Sequence, residues 1–143
     1  MDLPRGWSPS SRARVVLADD NVLVAAEMQA LLEQSFEVVA VVKSGEELET
    51  AFEALTPDVI VTDIAMPGEG GLAAVRHIRE RSPAARVVLL TVLDSQSMIR
   101  LGLLAGASAY VVKADAGDEL AQAVKAALEG RRYVSATALQ DLR

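Results

Sequence analysis

The sequence contains no cysteine, which excludes both a disulfide framework and a metal site built from thiolates. No apolar run approaches the roughly 20 residues that a helix needs to span a bilayer. Residues 1–12 are polar, include two prolines and have no apolar stretch, so they lack the pattern of a secretory signal. Together these absences predict a cytoplasmic protein with no membrane contact.

The chain also has fewer basic than acidic residues. The chain has 14 lysines and arginines against 20 aspartates and glutamates, which gives a net charge of −6. Because nucleic-acid binding needs a basic surface, this segment is not expected to bind DNA itself. The 143 residues, about half of them apolar (51%), are enough for one domain with a core.

Five short apolar runs rich in β-branched residues alternate with segments of helical periodicity. Most of the runs are apolar on both alternating faces, which is typical of strands in a sheet that is covered on both sides. The predicted strands are residues 14–18, 38–42, 58–62, 86–90 and 109–112. The predicted helices are residues 22–34, 46–55, 72–81, 96–105 and 117–129. This alternation predicts an α/β fold with a doubly wound, five-stranded parallel sheet and five helices.

Polar residues follow the strands where each strand ends. Asp19 and Asp20 end the first strand, Asp63 the third, Thr91 the fourth and Lys113 the fifth. The carboxyl ends of parallel strands share one edge of the sheet, and ligands bind there, where the strand order reverses. With the strand order 2-1-3-4-5, three carboxylates, one hydroxyl and one ammonium would surround a single pocket.

Each of these residues also has a purely structural explanation. Asp19 and Asp20 could cap the following helix, Asp63 and Thr91 could stabilise turns, and Lys113 could be a solvated strand end. Taken together, however, three clustered carboxylates repel one another and require a cation. Mg²⁺ or Mn²⁺ would supply that charge through oxygen ligands. A metal beside Asp63, with a lysine and a hydroxyl opposite, predicts a clamp for a phosphoryl group.

The segment from Asp63 to Gly71 resembles the signature of a known family. Its acidic residue is followed three residues later by Met66-Pro67 and eight residues later by glycine, as in response regulator receiver domains of two-component systems. The resemblance extends over residues 14–130 and includes polar and aromatic residues at the strand ends, namely Asp19, Asp20, Thr91, Tyr110 and Lys113. It implies a flavodoxin-like fold and a regulatory phosphoacceptor domain, not an enzyme.

The resemblance implies a role for each residue of the predicted pocket. Asp63 would accept a phosphoryl group from a sensor histidine kinase, with Lys113 and Thr91 as its catalytic partners. Asp20, Asp63 and the backbone carbonyl of Ala65 would bind the metal, with Asp19 helping directly or through water. The resemblance also implies that Thr91 and Tyr110 form the switch pair that responds to phosphorylation.

Residues 106–113 and 128–133 are similar to the NarL/LuxR subfamily of DNA-binding response regulators. This similarity implies transcription regulation through a helix-turn-helix effector domain that is absent from these 143 residues. The expected organisation is a tail at 1–12, a receiver at 13–130 and the start of a linker at 131–143. The alternatives are a standalone receiver, a pseudo-receiver that binds without phosphorylation, and a Mg²⁺-dependent phosphohydrolase of the haloacid dehalogenase type.

Two residues depart from the receiver pattern. Ala114 stands where many receivers have proline, so a trans peptide bond is expected after Lys113. Val92 replaces a smaller residue after Thr91, which would narrow access to the phosphoryl site.

The fourth predicted helix is apolar around almost its whole circumference, which is unusual for a helix that covers a sheet. Either neighbouring loops bury it, or Leu101 and Leu104 form a partner surface for a phosphorylation-dependent homodimer.

Overall fold

The computed structural model describes residues 12–92 and 96–141. The predicted tail at 1–12 lies outside these ranges except for Arg12. The strands are Arg14–Ala18 (β1), Glu37–Val42 (β2), Val59–Thr62 (β3), Val87–Thr91 (β4), Ala109–Val112 (β5) and Tyr133–Val134 (β6). The helices are Val22–Glu33 (α1), Gly45–Leu55 (α2), Gly70–Arg81 (α3), Gln96–Leu104 (α4), Ala116–Leu128 (α5) and Ala136–Asp141 (α6). Residues Lys113–Asp115 form one 3₁₀ turn between β5 and α5.

The strands form one parallel sheet in the order β2-β1-β3-β4-β5-β6. The predicted fold class and the order 2-1-3-4-5 are confirmed. The predicted number of elements is wrong, since the described residues contain six strands and six helices. The missed strand, β6, has only two residues, too few for a visible alternation of apolar side chains.

Alternate residues of the strands enter two cores on opposite faces of the sheet. Val16 and Ala18 of β1 pack with buried residues of α2, α3 and α4, whereas Val15 and Leu17 pack with those of α1 and α5. Because both faces are covered by helices, the central strands are apolar except at their ends. This packing leaves the loops at the strand ends as the sites for polar residues.

The segment after α5, predicted as the start of a linker, is attached to β5 and α5. Ser135 N donates to the carbonyl of Tyr110 (2.9 Å), and Val112 N donates to Ser135 Oγ (3.0 Å). Thr137 N donates to Asp115 Oδ2 (2.9 Å). Residues 133–141 are therefore part of the folded domain, and the continuation into a linker stays a prediction.

Tyr133 gives this attachment a pH dependence. Its hydroxyl donates to Glu119 Oε1 (2.6 Å), and burial together with this carboxylate raises the pKa of Tyr133 to about 12. As the pH rises above the ordinary tyrosine pKa of about 10, the unfolded chain loses this proton before the folded chain does. We therefore expect the free energy of unfolding to fall between pH 10 and about 12 more steeply in the natural chain than in Tyr133→Phe. Urea unfolding of both chains at several alkaline pH values measures this difference, and parallel curves would contradict it.

Candidate functional site

The polar residues that follow the strands lie along the carboxyl edge of the sheet. Asp19 directly follows β1, Asp63 follows β3, Thr91 is the last residue of β4, and Lys113 follows β5. The structure brings the three acids together: Asp19, Asp20 and Asp63 each offer a carboxylate oxygen within 4.8 Å of the others. Asp19 and Asp63 are buried, whereas Asp20 is exposed. One edge of the cluster is thus open to solvent.

Asp63 is held at three points. Its backbone N donates to the carbonyl of Ala18 (2.9 Å), which ties it to the end of β1. Its Oδ1 accepts a hydrogen bond from Ala65 N (3.1 Å), and its Oδ2 accepts one from Lys113 Nζ (2.7 Å). The first of these side-chain bonds is the turn interaction considered above as a structural explanation. Asp63 therefore stabilises a turn and belongs to the acidic cluster at the same time.

Asp19 has one satisfied and one incompletely satisfied oxygen. Its Oδ1 accepts a hydrogen bond from Asn21 N (2.9 Å). Its Oδ2 lies 2.9 Å from Lys113 Nζ in an ion pair, but this buried oxygen has no hydrogen-bond partner among the described residues. The residue that caps α1 is Asn21, whose side chain accepts from Val24 N, so the alternative that the acids cap this helix is wrong.

Lys113 joins the two buried carboxylates. Burial alone would lower the pKa of Lys113, but its contacts with Asp63 and Asp19 outweigh burial and raise the pKa above its ordinary value. The ammonium is therefore charged at any physiological pH. The peptide bonds of the described residues are all trans, so the expected trans bond before Ala114 is confirmed. Lys113 reaches Asp63 without a proline after it.

The donor set fits a hard divalent cation. Three carboxylates face one ammonium, and the buried Asp19 Oδ2 lacks a directed hydrogen bond. Carboxylate oxygens are the ligands that Mg²⁺ prefers, and the exposed Asp20 side leaves room for water ligands. The same edge carries Lys113, which contacts Asp19 and Asp63, and the buried Thr91 at the end of β4. This arrangement can bind a cation and an anionic group side by side.

Residues 15–125 match the family model of the response regulator receiver domain. The chain belongs to this family. It is 35% identical over 126 residues to the transcriptional regulatory protein DegU of Brevibacillus brevis, covering 87% of this chain and 53% of DegU. It is 35% identical over 131 residues to the response regulator GacA of Pseudomonas viridiflava, covering 90% of this chain and 61% of GacA. The chain thus spans between half and two thirds of the length of these curated relatives.

A similar solved structure is that of a two-component response regulator of the LuxR family from Aurantimonas sp. SI85-9A1. It has a TM-score of 0.88 and 36% sequence identity, and the match covers 92% of this chain and 96% of that one. The resemblance to LuxR-type regulators is therefore confirmed. None of the helices in the described ranges has the length and apolar character that crossing a membrane requires.

Gly71 of the receiver signature has a structural role that the sequence pattern alone did not reveal. A Cβ atom at this position would lie 1.9 Å from the carbonyl oxygen of Asp63, and Gly71 N donates to the carbonyl of Ile64 (2.9 Å). The start of α3 therefore lies directly on the backbone of Asp63. Gly68 and Gly70, with φ of 76° and 80°, form the turn that makes this approach possible.

The predicted switch residues of the receiver, Thr91 and Tyr110, are both fully buried on neighbouring strands. The ring of Tyr110 lies against α4 at Gly102, where a Cβ atom would be 3.2 Å from Cδ2 of the ring. Glycine in this helix therefore allows the close approach of the tyrosine ring. Val92, which directly follows Thr91, is 70% exposed.

Helix α4 of the receiver keeps part of its apolar surface in solvent. Ile99 is buried and Met98 and Leu103 pack against the core, but Leu101 and Leu104 are 51% and 83% exposed. The explanation by deeper burial is therefore wrong for these two leucines. Their surface is available to a partner.

A second polar cluster of the receiver joins α2 to α3. His77 Nδ1 lies 3.1 Å from Glu49 Oε2 and 3.0 Å from Glu69 Oε2, and these contacts, led by the one with Glu49, raise the pKa of His77. The side chain of His77 is about half exposed to solvent. Sequence analysis missed its partners, because Glu49 is 28 residues away and no local pattern links the two.

Proposed function

We propose that this receiver accepts a phosphoryl group on Asp63 from a phosphohistidine of a sensor histidine kinase. The observation that carries the proposal is the position of the Asp63 carboxylate, which is buried beside two further acids and 2.7 Å from Lys113 Nζ. Thr91 lies at the same edge of the sheet. The family supports the proposal, because it consists of regulatory domains of two-component systems.

The transfer is an in-line displacement. An oxygen of the Asp63 carboxylate attacks phosphorus, the phosphorus–nitrogen bond to histidine breaks, and its electron pair leaves with the imidazole nitrogen. Lys113 neutralises charge on one phosphoryl oxygen, and the Thr91 hydroxyl donates a hydrogen bond to another. Asp19, Asp20, Asp63 and the carbonyl of Ala65 would hold a divalent cation, Mg²⁺ or Mn²⁺, which would supply the remaining charge neutralisation.

Several features favour a signal over enzymatic turnover. A phosphohydrolase that works through an aspartyl phosphate needs a general acid and base near the nucleophile, commonly an aspartate two residues later. That position is Ala65 here. The acyl phosphate would therefore hydrolyse slowly. The complete set of acids, threonine and lysine likewise disfavours a pseudo-receiver.

Mass spectrometry of the chain treated with phosphoramidate or acetyl phosphate tests this function. We expect one phosphoryl group per chain in the presence of Mg²⁺ and little or none in the presence of EDTA. Reduction of the acyl phosphate with borohydride converts the labelled aspartate to homoserine, and the modified residue is expected at position 63. Modification at another residue, or none with Mg²⁺, would refute the proposal.

We infer that the phosphoryl group acts through the buried pair Thr91 and Tyr110. It adds about one to two negative charges and three acceptor oxygens at the ends of β3 and β4. A movement of Thr91 toward these oxygens changes the space available to the Tyr110 ring, which packs on α4. Phosphorylation would thus shift an existing equilibrium between two arrangements of the region from β4 to α5.

The proposed output is transcription regulation in the cytoplasm. DegU is a transcriptional regulatory protein, and the chain covers only 53% of its length. We propose that a tail at 1–12 precedes the receiver, and that residues 131–143, of which 133–141 pack on β5 and α5, lead into a linker and a helix-turn-helix effector domain. DNA would then be bound only through that domain. A standalone receiver is the alternative.

The surface of Leu101 and Leu104 is proposed to form a phosphorylation-dependent homodimer. We expect Leu104→Glu to shift the phosphorylated chain toward monomer in sedimentation velocity, since a charge would be buried in the contact. Leu23→Glu is the matched control, because Leu23 on α1 is 82% exposed and Leu104 is 83% exposed. Equal sedimentation of both variants and the natural chain, with and without phosphorylation, would exclude this surface.

A further inference from the structure

A cavity of about 280 Å³ lies at the amino edge of the sheet, opposite to Asp63. It is bounded by the residues that precede β4 and β5 and by the end of α5. Four arginines contribute to its wall, namely Arg79, Arg86, Arg131 and Arg132. The wall contains no carboxylate. Four of the eleven arginines of an acidic chain therefore surround one small cavity.

Structural roles account for only two of these arginines. Arg79 lies in the last turn of α3 and donates to the carbonyl of Ala85 (2.7 Å), and Arg131 follows α5 and pairs with Glu129. Cations are favoured at such helix ends. Arg86 and Arg132 precede β4 and β6, and the guanidinium group of neither has a hydrogen-bonding or ionic partner within the described part of the chain. Both residues are exposed and line the same cavity.

We propose that this cavity binds a compact anion with at least two charges, of the phosphoryl class, such as a diphosphate group. Guanidinium groups bind phosphate oxygens in pairs, and they do so more strongly where several converge. Ser108 Oγ accepts only a long bond from Val87 N (3.4 Å), so its proton is available to an anion. An anion would also relieve the repulsion among the four arginines.

The remaining wall limits the size and type of the ligand. It consists of alanine and glycine with no aromatic ring, so it offers no stacking surface for a nucleobase. Its volume of about 280 Å³ lies just below the range for small-molecule pockets, roughly 300–1,000 Å³. Both features favour a small polyphosphate or a phosphorylated sugar over a nucleotide. Because Ser108 directly precedes β5, such a ligand would contact the loop that leads into the strand of Tyr110.

Isothermal titration calorimetry with inorganic pyrophosphate, in EDTA and at constant ionic strength, tests the proposal. We expect one site per chain and at least a ~10-fold weaker affinity for the double variant Arg86→Gln/Arg132→Gln. The control Lys43→Gln/Lys125→Gln removes the same charge from two exposed lysines outside the cavity and is expected to bind as the natural chain does. Absence of binding to the natural chain, or equal weakening in both double variants, would overturn the site.

Amide chemical shifts of the natural chain provide a second test that does not depend on variants. Pyrophosphate is expected to shift the signals of Gly106, Ser108 and Gly130, which line the cavity. Shifts confined to Asp63 and Lys113 would place the anion at the opposite edge and contradict the proposal. Citrate and adenosine monophosphate are expected to bind more weakly than pyrophosphate. Equal binding of citrate would contradict the assignment to the phosphoryl class.

Discussion

Asp63→Asn is expected to abolish phosphorylation of the chain by phosphoramidate while the fold is retained. The amide has nearly the shape of the carboxylate, so its oxygen can still accept the hydrogen bond from Ala65 N. It carries no negative charge, however, and an amide oxygen is a poor nucleophile toward phosphorus. The charge-assisted bond from Lys113 Nζ to Oδ2 is also lost, but Lys113 keeps its ion pair with Asp19.

The measurement is the mass of the intact chain after incubation with the phosphodonor and Mg²⁺, and circular dichroism checks the fold. Asp118→Asn is the control, because Asp118 is an exposed acid in the first turn of α5, away from the acidic cluster. This variant should take up one phosphoryl group like the natural chain. If Asp63→Asn took up as much label as Asp118→Asn, the acceptor would be another residue.

The sequence was sufficient to predict five of the six strands. The strands inside the sheet are covered on both faces, so their residues form continuous apolar runs such as Val15, Val16 and Leu17, all fully buried. The edge strand β2 is partly exposed, but its residues from Val38 to Val42 are still all apolar. Short strand β6 could not be predicted in this way. It is defined by backbone pairing with β5 and by contacts such as that of Tyr133 with Glu119. Both depend on how the segment after α5 packs against the rest of the domain.

The acidic cluster could also be predicted from the sequence, because parallel strands place their carboxyl ends at one edge of the sheet. Asp19 and Asp63 follow β1 and β3, which are adjacent in the sheet. The bridging contact of Lys113 with Asp19 was not predictable, since it depends on the 3₁₀ turn after β5.

The cavity lined by four arginines could not be predicted from the sequence either. Arg79 lies in α3 and Arg86 in the loop that follows it, whereas Arg131 and Arg132 lie about 45 residues later, after α5. Arg131 and Arg132 are adjacent in the sequence, but two charges are too few to define a basic patch. Only the packing of α3, the loop before β4 and the end of α5 brings the four arginines to one cavity. Such convergence comes from tertiary structure.

Glycine at position 71 makes the acceptor site sensitive to a single methyl group. In Gly71→Ala the Cβ atom would lie 1.9 Å from the Asp63 carbonyl oxygen and 3.0 Å from its carbon, far closer than any van der Waals contact allows. Neither the backbone of Asp63 nor the start of α3 can move freely to relieve this clash. Asp63 N is hydrogen-bonded to the carbonyl of Ala18, and Gly71 N is hydrogen-bonded to the carbonyl of Ile64. We expect a loss of about 3 kcal/mol or more in the free energy of unfolding, at or beyond the upper end of the usual cost of overpacking.

Gly117→Ala is the matched control, because a Cβ atom at position 117 would have no neighbour within 4 Å and the residue lies inside α5. Alanine should stabilise that helix by about 0.5–1 kcal/mol, through the lower conformational entropy of the unfolded chain and its higher helix propensity. Urea unfolding of both variants measures the two effects, which are expected to have opposite signs.

A Cβ atom at position 71 should also displace the carbonyl group of Asp63. Because that carbonyl belongs to the phosphoacceptor itself, we expect less phosphorylation of the Gly71→Ala chain that remains folded. A Gly71→Ala chain as stable as the natural one would show that the turn at Gly68 and Gly70 can absorb the methyl group, and that α3 does not position Asp63.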